Sequence, residues 1–228
     1  MKAEHTDKKY EDELKKLRED ILYMGGLVED QILKAVKALI DRDSDLAEII
    51  IERDHEVNRL DVDIDDVCIR LLALHQPAGR DLRFITTGLK ITTDLERMGD
   101  IAVNFCERAL ELNQEPQLKP YIDVPRMAAI AQRMIRESLD AFVREDTDLA
   151  LKVCKDDQEV DDLNSQIFRE TISFMIGDPH TINRAMKISF LSKYLERIAD
   201  HATNIAEMVI FMVKGKSIRH MKELPSSV

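Results

Sequence analysis

Apolar residues recur three or four positions apart along almost the whole 228-residue chain. The first such stripe consists of Leu14, Leu17, Ile21, Met24, Val28, Ile32, Ala35 and Leu39. This spacing places apolar side chains on one face of an α-helix, whereas a half-buried strand requires strict alternation. Only 7 Gly and 6 Pro interrupt the pattern, and aromatic residues make up only 5%. We therefore predict an all-α fold built from long amphipathic helices.

Turn and capping signals divide the chain into six predicted helices. Pro77 disfavours helix at the residue before it, and Asp178 and Pro179 together form a helix start. Gly215 is a predicted C-terminal cap. We expect helices at about 7–41, from Ser44 as N-cap to about 75, at 81–112, 124–145 and 147–176, and from 179 to about 214.

The segment NQEPQLKPYIDVP at 113–125 contains three prolines and is the strongest candidate for a domain boundary. Three predicted helices lie on each side of it. We therefore predict two tandem antiparallel three-helix bundles, one over residues 1–115 and one over residues 116–228.

An internal repeat supports this division. The sequence LERMGDIAVNFCE at 95–107 matches LERIADHATNIAE at 195–207 at seven of thirteen positions, with an offset of 100 residues. Earlier in each half, DHEVNRL at 54–60 aligns with DQEVDDL at 157–163. The two predicted bundles are therefore related by internal duplication, and acidic positions are what the duplication preserves best.

Charge and composition exclude several functional classes. A net charge of −11 makes the chain a poor non-specific binder of nucleic acid or anionic lipid. The three cysteines form no C-x-x-C pair, which is typical of reduced thiols rather than a disulfide framework. The N-terminus lacks the apolar stretch of a signal peptide, and no apolar run reaches the length of a membrane span. We expect a cytoplasmic protein without direct membrane insertion.

Carboxylates occupy an unexpected place in the helical pattern. In the third and sixth predicted helices the apolar stripe continues through acidic pairs spaced four residues apart, Glu96 with Asp100 and Glu196 with Asp200. The second and fifth helices place similar pairs around Val57 and Val160. These pairs are Asp54 with Asn58 and Asp157 with Asp161.

Two explanations for these pairs remain open from the residues alone. Like charges four residues apart destabilise a helix by a few tenths of a kcal/mol, and burial raises both that cost and the pKa values. Ion pairing would compensate, either with Arg97 and Arg197, which follow the two glutamates, or with Arg53, Arg59 and Arg80. A bound cation would compensate equally, and clustered oxygen ligands suit Mg²⁺, Ca²⁺, Mn²⁺, iron or zinc. His201 is rotated about 100° from Asp200 on the helix, so we predict an interface or surface histidine rather than a ligand.

Three stretches resemble the PhoU family of phosphate-transport accessory proteins. They are MGGLVEDQI at 24–32, QPAGRDLRFITTGLKITTDLERMGD at 76–100 and YLERIADHATNIAEMVIFMVKG at 194–215. The resemblance extends from about residue 10 to residue 215. It implies two helical bundles in a cytoplasmic, often dimeric protein that represses the phosphate-starvation response. It also implies a link between the ATPase of the phosphate ABC transporter and a phosphate-sensing histidine kinase, without enzyme activity.

The resemblance further implies metal ligands, because E/DxxxD motifs bind multinuclear iron or zinc clusters in some family members. Carried over residue by residue, the candidate metal ligands are Asp54, Asn58, Glu96, Asp100, Asp157, Asp161, Glu196 and Asp200. Asn58 departs from the acidic pattern, so the first cluster is expected to bind fewer ions or to bind them more weakly. A carboxylate-bridged di-metal enzyme in a helical bundle is the alternative function, and a scaffold without metal is a third.

Overall fold

The computed structural model describes residues 8–216, which fold into seven α-helices and a short 3₁₀ turn at Pro179–Thr181. The helices are α1 (Lys8–Ile40), α2 (Ser44–Arg53), α3 (His55–His75), α4 (Gly79–Asn113), α5 (Asp123–Arg144), α6 (Thr147–Gly177) and α7 (Ile182–Lys214). No strand is present within this part of the chain. The predicted all-α class is confirmed, and so is the tandem repeat.

The second predicted helix is wrong in two respects. Asp43, rather than Ser44, is the N-cap, because its extended backbone lets the side chain accept a hydrogen bond from the Leu46 amide at 2.9 Å. The helix is also interrupted at Asp54, which separates α2 from α3. There the Val57 amide bonds to the Asp54 carbonyl at 3.0 Å, a tighter turn than the α-helix makes.

The predicted end of the last helix is confirmed, but Asp178 and Pro179 begin the 3₁₀ turn Pro179–Thr181, and α7 itself starts only at Ile182. The Asp178 side chain accepts a hydrogen bond from the His180 amide at 3.0 Å, and Pro179 follows at the first helical position. Gly215 ends α7 with φ of +70°, a left-handed conformation that glycine adopts without a steric penalty. By contrast, α4 begins at Gly79, two residues before the predicted Asp81.

The helices form two bundles around one continuous apolar core, with α1 to α4 on one side and α5 to α7 on the other. The long helices α4 and α7 lie antiparallel in the centre. At one end of this contact the Arg83 Nε donates to the Met212 carbonyl at 2.9 Å. Further along, the His201 Nδ1 lies 2.7 Å from the Asp94 carboxylate. The division between residues 115 and 116 stays a prediction.

The buried face of each central helix does not coincide with the predicted apolar stripe through the acidic pairs. The buried positions of α4 include Ile85, Leu95 and Met98, whereas Leu82 is 41% exposed. In α7 Met186, which lies on the same side as Glu196 and Asp200 in the helical pattern, is 46% exposed. Because α4 and α7 pack against their own bundle and against each other, their buried face is wide, and the acidic pairs lie at its rim. The prediction that they lie inside the apolar face is therefore wrong.

Arg42 joins the first bundle to the segment between the bundles. Its Nη2 donates to the carbonyls of Leu112, Asn113 and Glu115 at 3.3, 2.5 and 2.6 Å. These carbonyls lie at or just beyond the C-terminus of α4, where helical carbonyls lack partners and the helix dipole favours a cation. The Leu112 carbonyl also accepts a 3.2 Å bond from the Glu115 amide, so the guanidinium reinforces this helix end and supplies a partner to the carbonyls of Asn113 and Glu115.

We expect Arg42→Ala to lower the free energy of unfolding by about 2 kcal/mol, because it removes charged hydrogen bonds to partly buried carbonyls. Urea denaturation followed by circular dichroism measures this loss. The control is Arg59→Ala, since Arg59 forms only an exposed ion pair with Asp63, worth less than about 0.5 kcal/mol. Equal destabilisation by the two substitutions would contradict the role of Arg42.

Candidate carboxylate sites

The acidic motifs of the second bundle meet across two antiparallel helices. Asp157 and Asp161 lie on α6, and Glu196 and Asp200 lie on α7. Beside them the Ser192 hydroxyl donates to the Asn164 side-chain oxygen at 2.8 Å, which fixes the register of the two helices. The two motifs therefore lie at similar heights along the two helices, and the charges of Asp200 and Glu196 act on Asp157. We call these four carboxylates the second cluster.

The surroundings of the second cluster raise the pKa values of three of its carboxylates. Burial raises the pKa of Asp157 to about 6, and repulsion from Asp200, Asp161 and Glu196 adds to the shift. The Oδ1 atom of Asp157 is buried and accepts no hydrogen bond. Burial followed by repulsion from Glu196 also raises the pKa values of Asp161 and Asp200. The ionised cluster therefore opposes folding unless protons or a cation offset its charge.

Lys193 is a cation in contact with the second cluster. Its ammonium donates to Glu196 Oε1 at 2.6 Å, within α7. The positive charge of Lys193 also lowers the pKa values of Asp161 and Asp200. Burial and repulsion from Glu196 raise the same pKa values by more. Lys193 is 54% exposed at its side chain, so its contribution is screened by water. One lysine thus compensates only part of the charge of four carboxylates.

The first bundle builds a related group from α3 and α4, which we call the first cluster: Asp54, Asn58, Asp61, Glu96 and Asp100. Asp54 is 9% exposed and accepts bonds from the Asn58 amide at 3.0 Å and from the Gln31 amide at 3.4 Å. Burial raises its pKa, and repulsion from Asp100 adds to this shift. Both amides act in the opposite direction.

Arg97 gives the ion-pairing explanation some support in the first cluster. It lies 3.6 Å from Glu96 and 3.8 Å from Asp100. Both pairs are long, and the Arg97 side chain is 58% exposed, so each is a weak interaction in water. Burial still raises the pKa of Glu96, with Asp100 as the next largest cause.

Three residues of the first bundle escaped the sequence-based prediction. Asp61 and Asp65 on α3 each have a buried Oδ1 atom without a hydrogen-bond partner, and Gln31 on α1 has such an Oε1 atom. Asp61 follows Asp54 by seven residues, and Asp65 follows Asp61 by four, which places all three on one helical face. That spacing could have identified the two aspartates. Gln31 carries no such signal, because only the packing of α1 brings it to Asp54.

The chemistry of both clusters fits a metal ion, although the side chains do not already surround one. Clustered carboxylate oxygens are hard ligands, and the unpartnered atoms of Asp61 and Asp157 are available for coordination. Gly99 packs so closely that an added Cβ would lie 3.1 Å from Asp54 Oδ1. Within residues 8–216, however, no three His, Cys, Asp or Glu side chains are grouped closely enough to hold a metal. Binding would require the carboxylates to change rotamer.

His201 and the two repeated asparagines lie beside the clusters. His201 is half-buried between α4 and α7 and contacts Asp94, as expected for an interface histidine. Asn204 also donates to Asp94, at 3.3 Å, so it joins the two central helices. Asn104 instead donates to the Asp100 carbonyl one turn earlier at 2.8 Å. The repeated asparagines therefore have different partners in the two halves.

The enzyme alternative requires a particular ligand pattern. Ferritin-like di-metal centres take a Glu-x-x-His pair from each of two helices. This sequence contains one such pair, Glu52 and His55. Both residues are exposed, and the His55 Nδ1 lies 2.7 Å from the Glu52 carbonyl. The pattern of that enzyme class is therefore incomplete here.

Comparison with known proteins places this pair of bundles in a family. The family model described as the PhoU domain matches residues 21–109 and again 124–209. The chain belongs to the PhoU family. Each matched segment contains one of the two clusters, so the duplication of carboxylates coincides with the duplication of the PhoU domain.

Individual PhoU relatives are similar over nearly the whole chain. The "phosphate-specific transport system accessory protein PhoU homolog" of Pseudomonas aeruginosa is 43% identical, covering 95% of this chain and 90% of the relative. The homolog of Aquifex aeolicus is 44% identical over 91% and 94% of the two chains. The names of these relatives describe accessory proteins and not enzymes.

Solved PhoU structures share the fold. A crystal structure of PhoU from P. aeruginosa aligns with a TM-score of 0.87 at 44% identity, covering 91% of this chain and all of the other. The "phosphate transport system regulatory protein PhoU" from Streptococcus pneumoniae aligns with a TM-score of 0.86 at 29% identity, covering 92% and 99%. Within the described residues of this chain, no helix is long and apolar enough to cross a membrane.

The raised pKa of Asp157 predicts a pH-dependent stability for the metal-free protein. Its folded-state pKa of about 6 lies above the ordinary aspartate value of 3.8, so the folded protein binds an extra proton between these pH values. The stability this proton gives is complete below pH 3.8 and is lost as the pH rises through 6. We expect Asp157→Asn to be more stable than the parent at pH 7, by about 1 kcal/mol after solvent screening, and equally stable at pH 3.5.

Thermal denaturation of metal-free protein across this pH range measures the difference. The control is Asp162→Asn, which removes one charge from an exposed position on the same helix. A stability difference between Asp157→Asn and the parent that stays constant with pH would show that Asp157 does not titrate as described.

Proposed function

We propose that this protein is a cytoplasmic regulator of phosphate homeostasis that restrains phosphate-starvation signalling and modulates a phosphate ABC transporter. The observation that carries the proposal is the similarity of both halves of the chain to accessory proteins of the phosphate-specific transport system, at up to 44% identity. Its partners would be the ATPase of the transporter and a phosphate-sensing histidine kinase, and it would act as a homodimer.

We also propose that the two clusters bind divalent or trivalent metal ions, with iron or zinc favoured and with room for more than one ion in each bundle. Asp157, Asp161, Glu196 and Asp200 would hold metal in the second bundle. Their oxygens are hard ligands, and a cation there would remove the repulsion that raises the pKa of Asp157. A bound metal would supply positive charge and a fixed link between α6 and α7.

Loss of the protein is expected to uncouple phosphate signalling from phosphate supply. In a strain lacking its gene, phosphate-starvation transcription should stay on in phosphate-rich medium, because the proposed restraint on the kinase is gone. A transcriptional reporter and a phosphate-uptake assay measure the two effects, and re-expression of the intact chain is the control. Unchanged transcription and uptake in the deletion strain would count against the regulatory role.

Metal content tests the second part of the proposal separately. We expect Glu196→Gln with Asp200→Asn to lose the metal of the second bundle, because an amide oxygen is a weaker ligand than a carboxylate. Elemental analysis of protein purified without chelator or affinity metal measures occupancy. The matched control removes two exposed charges from α6, Asp148→Asn with Asp162→Asn. Full occupancy in the first double variant would remove these residues from the ligand set.

A further inference from the structure

The hairpin formed by α6 and α7 exposes a concentrated apolar surface near its tip. Six of the fifteen large apolar side chains that are exposed within residues 8–216 lie between residues 168 and 190. They are Phe168, Ile172 and Ile176 on α6 and Ile182, Met186 and Phe190 on α7. Exposed apolar side chains that are scattered singly are ordinary, whereas a concentrated group marks an interaction surface.

Part of this surface forms an open groove between the two helices, with a volume of about 370 Å³. Its apolar walls are Phe168 and Met175 from α6 and Met186 and Phe190 from α7. The buried Thr171 hydroxyl lies 2.7 Å from the Ser189 hydroxyl and joins the two helices at this level. The groove is therefore a preformed feature of a tightly held hairpin.

The first bundle carries polar residues where the second bundle has its groove. The repeat has an offset of 103 residues along α6 and of 100 residues along α7. With these offsets Phe168 corresponds to Asp65, Met186 to Thr86 and Phe190 to Lys90. The same helix pair is thus built in the first bundle without apolar side chains at these positions. Folding alone does not require them in the second bundle.

The groove has cations at its rim, although the whole chain carries a net charge of −11. Lys193 lines one end of the groove, where it contacts Glu196 and is still 54% exposed at its side chain. Arg169 follows Phe168 on α6, is exposed and forms no ion pair within residues 8–216. Its counterpart in the first bundle is Asp66, so the sign of the charge differs between the two halves. An apolar segment flanked by carboxylates would complement both features of the groove.

We propose that this groove docks an acidic amphipathic helix of a partner protein, with its apolar side chains between α6 and α7 and its carboxylates beside Arg169 and Lys193. Ser165 and Met175 both line the groove and are ten residues apart, so it extends for about 15 Å along α6. This length accepts about three turns of helix, with anchors at positions i, i+3 or i+4, and i+7. The assignment rests on the proposed accessory role and names the surface through which that role is exercised.

Two other occupants fit the groove less well. Phe168 and Phe190 are 54% and 47% exposed, so the groove is open along its length, whereas a small-molecule pocket encloses most of its ligand. A second copy of this chain, packed about a two-fold axis, would present the same surface from both sides. Arg169 and Lys193 of both copies would then lie at one apolar contact.

Binding of a designed peptide to the full chain, measured by fluorescence anisotropy, tests the chemistry of the groove. The peptide is a labelled helix of about four turns with Leu along one face and Glu elsewhere, and a matched peptide carries Lys in place of Glu. We expect the Glu peptide to bind more than about tenfold more tightly than the Lys peptide, because Arg169 and Lys193 attract it. The net charge of −11 would by itself favour the Lys peptide, so equal binding or the reverse preference overturns the proposal.

Variants that copy the first bundle locate the binding site. Phe168→Asp with Phe190→Lys should weaken binding of the Glu peptide by more than about tenfold, with folding checked by circular dichroism. Val62→Ser with Ile69→Ser removes two apolar side chains that are each 59% exposed on α3, and it should leave the affinity within about twofold. Arg169→Asp leaves the apolar walls intact and should reverse the preference between the two peptides. Unchanged binding by the phenylalanine variant, or an unchanged preference in Arg169→Asp, overturns the assignment.

Complementation of the deletion strain connects the groove to regulation. The intact chain and Val62→Ser with Ile69→Ser should both restore repression of phosphate-starvation transcription, and Phe168→Asp with Phe190→Lys should not. Full restoration by the phenylalanine variant overturns the docking role and leaves the regulatory role intact. If the intact chain has no effect, the regulatory role fails, and the peptide experiment alone decides the docking role.

Sedimentation equilibrium of the parent chain and of Phe168→Asp with Phe190→Lys tests the alternative of a second copy. We expect the same molecular mass for both, because the groove is not the contact between copies. A parent dimer that becomes a monomer in this variant would show that a second copy covers the groove, and the proposed partner helix would be wrong.

Discussion

Repulsion between carboxylates at the contact of two antiparallel helices is the constraint on which both halves of this molecule depend. In the second bundle Asp157 lies against three other acidic groups and carries a buried oxygen without a partner. Burial makes that repulsion stronger than it would be on an open helix surface. The contact of α6 with α7 is therefore stable only to the extent that apolar packing, protons or cations outweigh the charge.

The apolar core supplies the packing that tolerates this charge. Each central helix has a wide buried face because it contacts its own bundle and the opposite one. Leu95 and Met98 in α4, like Leu195 and Ile198 in α7, bury their side chains almost completely. The acidic pairs lie at the rim of this face, where partial burial raises the pKa values of Glu96 and Asp200. The acidic pairs therefore lie outside the apolar core that holds the helices together.

Helix type, duplication and the acidic positions follow from the sequence, because each depends on local spacing. The interruption at Asp54 does not follow, since an aspartate among helix-forming residues gives no sign that Gln31 will bind it from another helix. Asp61 was missed for a related reason. The motif that begins at Asp54 ends at Asn58. Asp61 lies beyond it, and its neighbour Glu96 lies on the facing helix. Spacing along α3 shows that Asp61 shares a face with Asp54, but only the antiparallel packing of α3 and α4 brings Asp61 to Glu96.

The two duplicated clusters differ in the groups that offset their negative charge. In the first, two amide donors bind Asp54, and they offset part of the rise in its pKa that burial causes. In the second, four carboxylates share one exposed lysine, and the pKa of Asp157 reaches about 6. Since a pKa near 6 lies close to physiological pH, a change of pH near neutrality alters the charge of the second cluster more than it would alter that of a carboxylate with an ordinary pKa. The second bundle is thus the half in which α6–α7 packing responds most directly to pH.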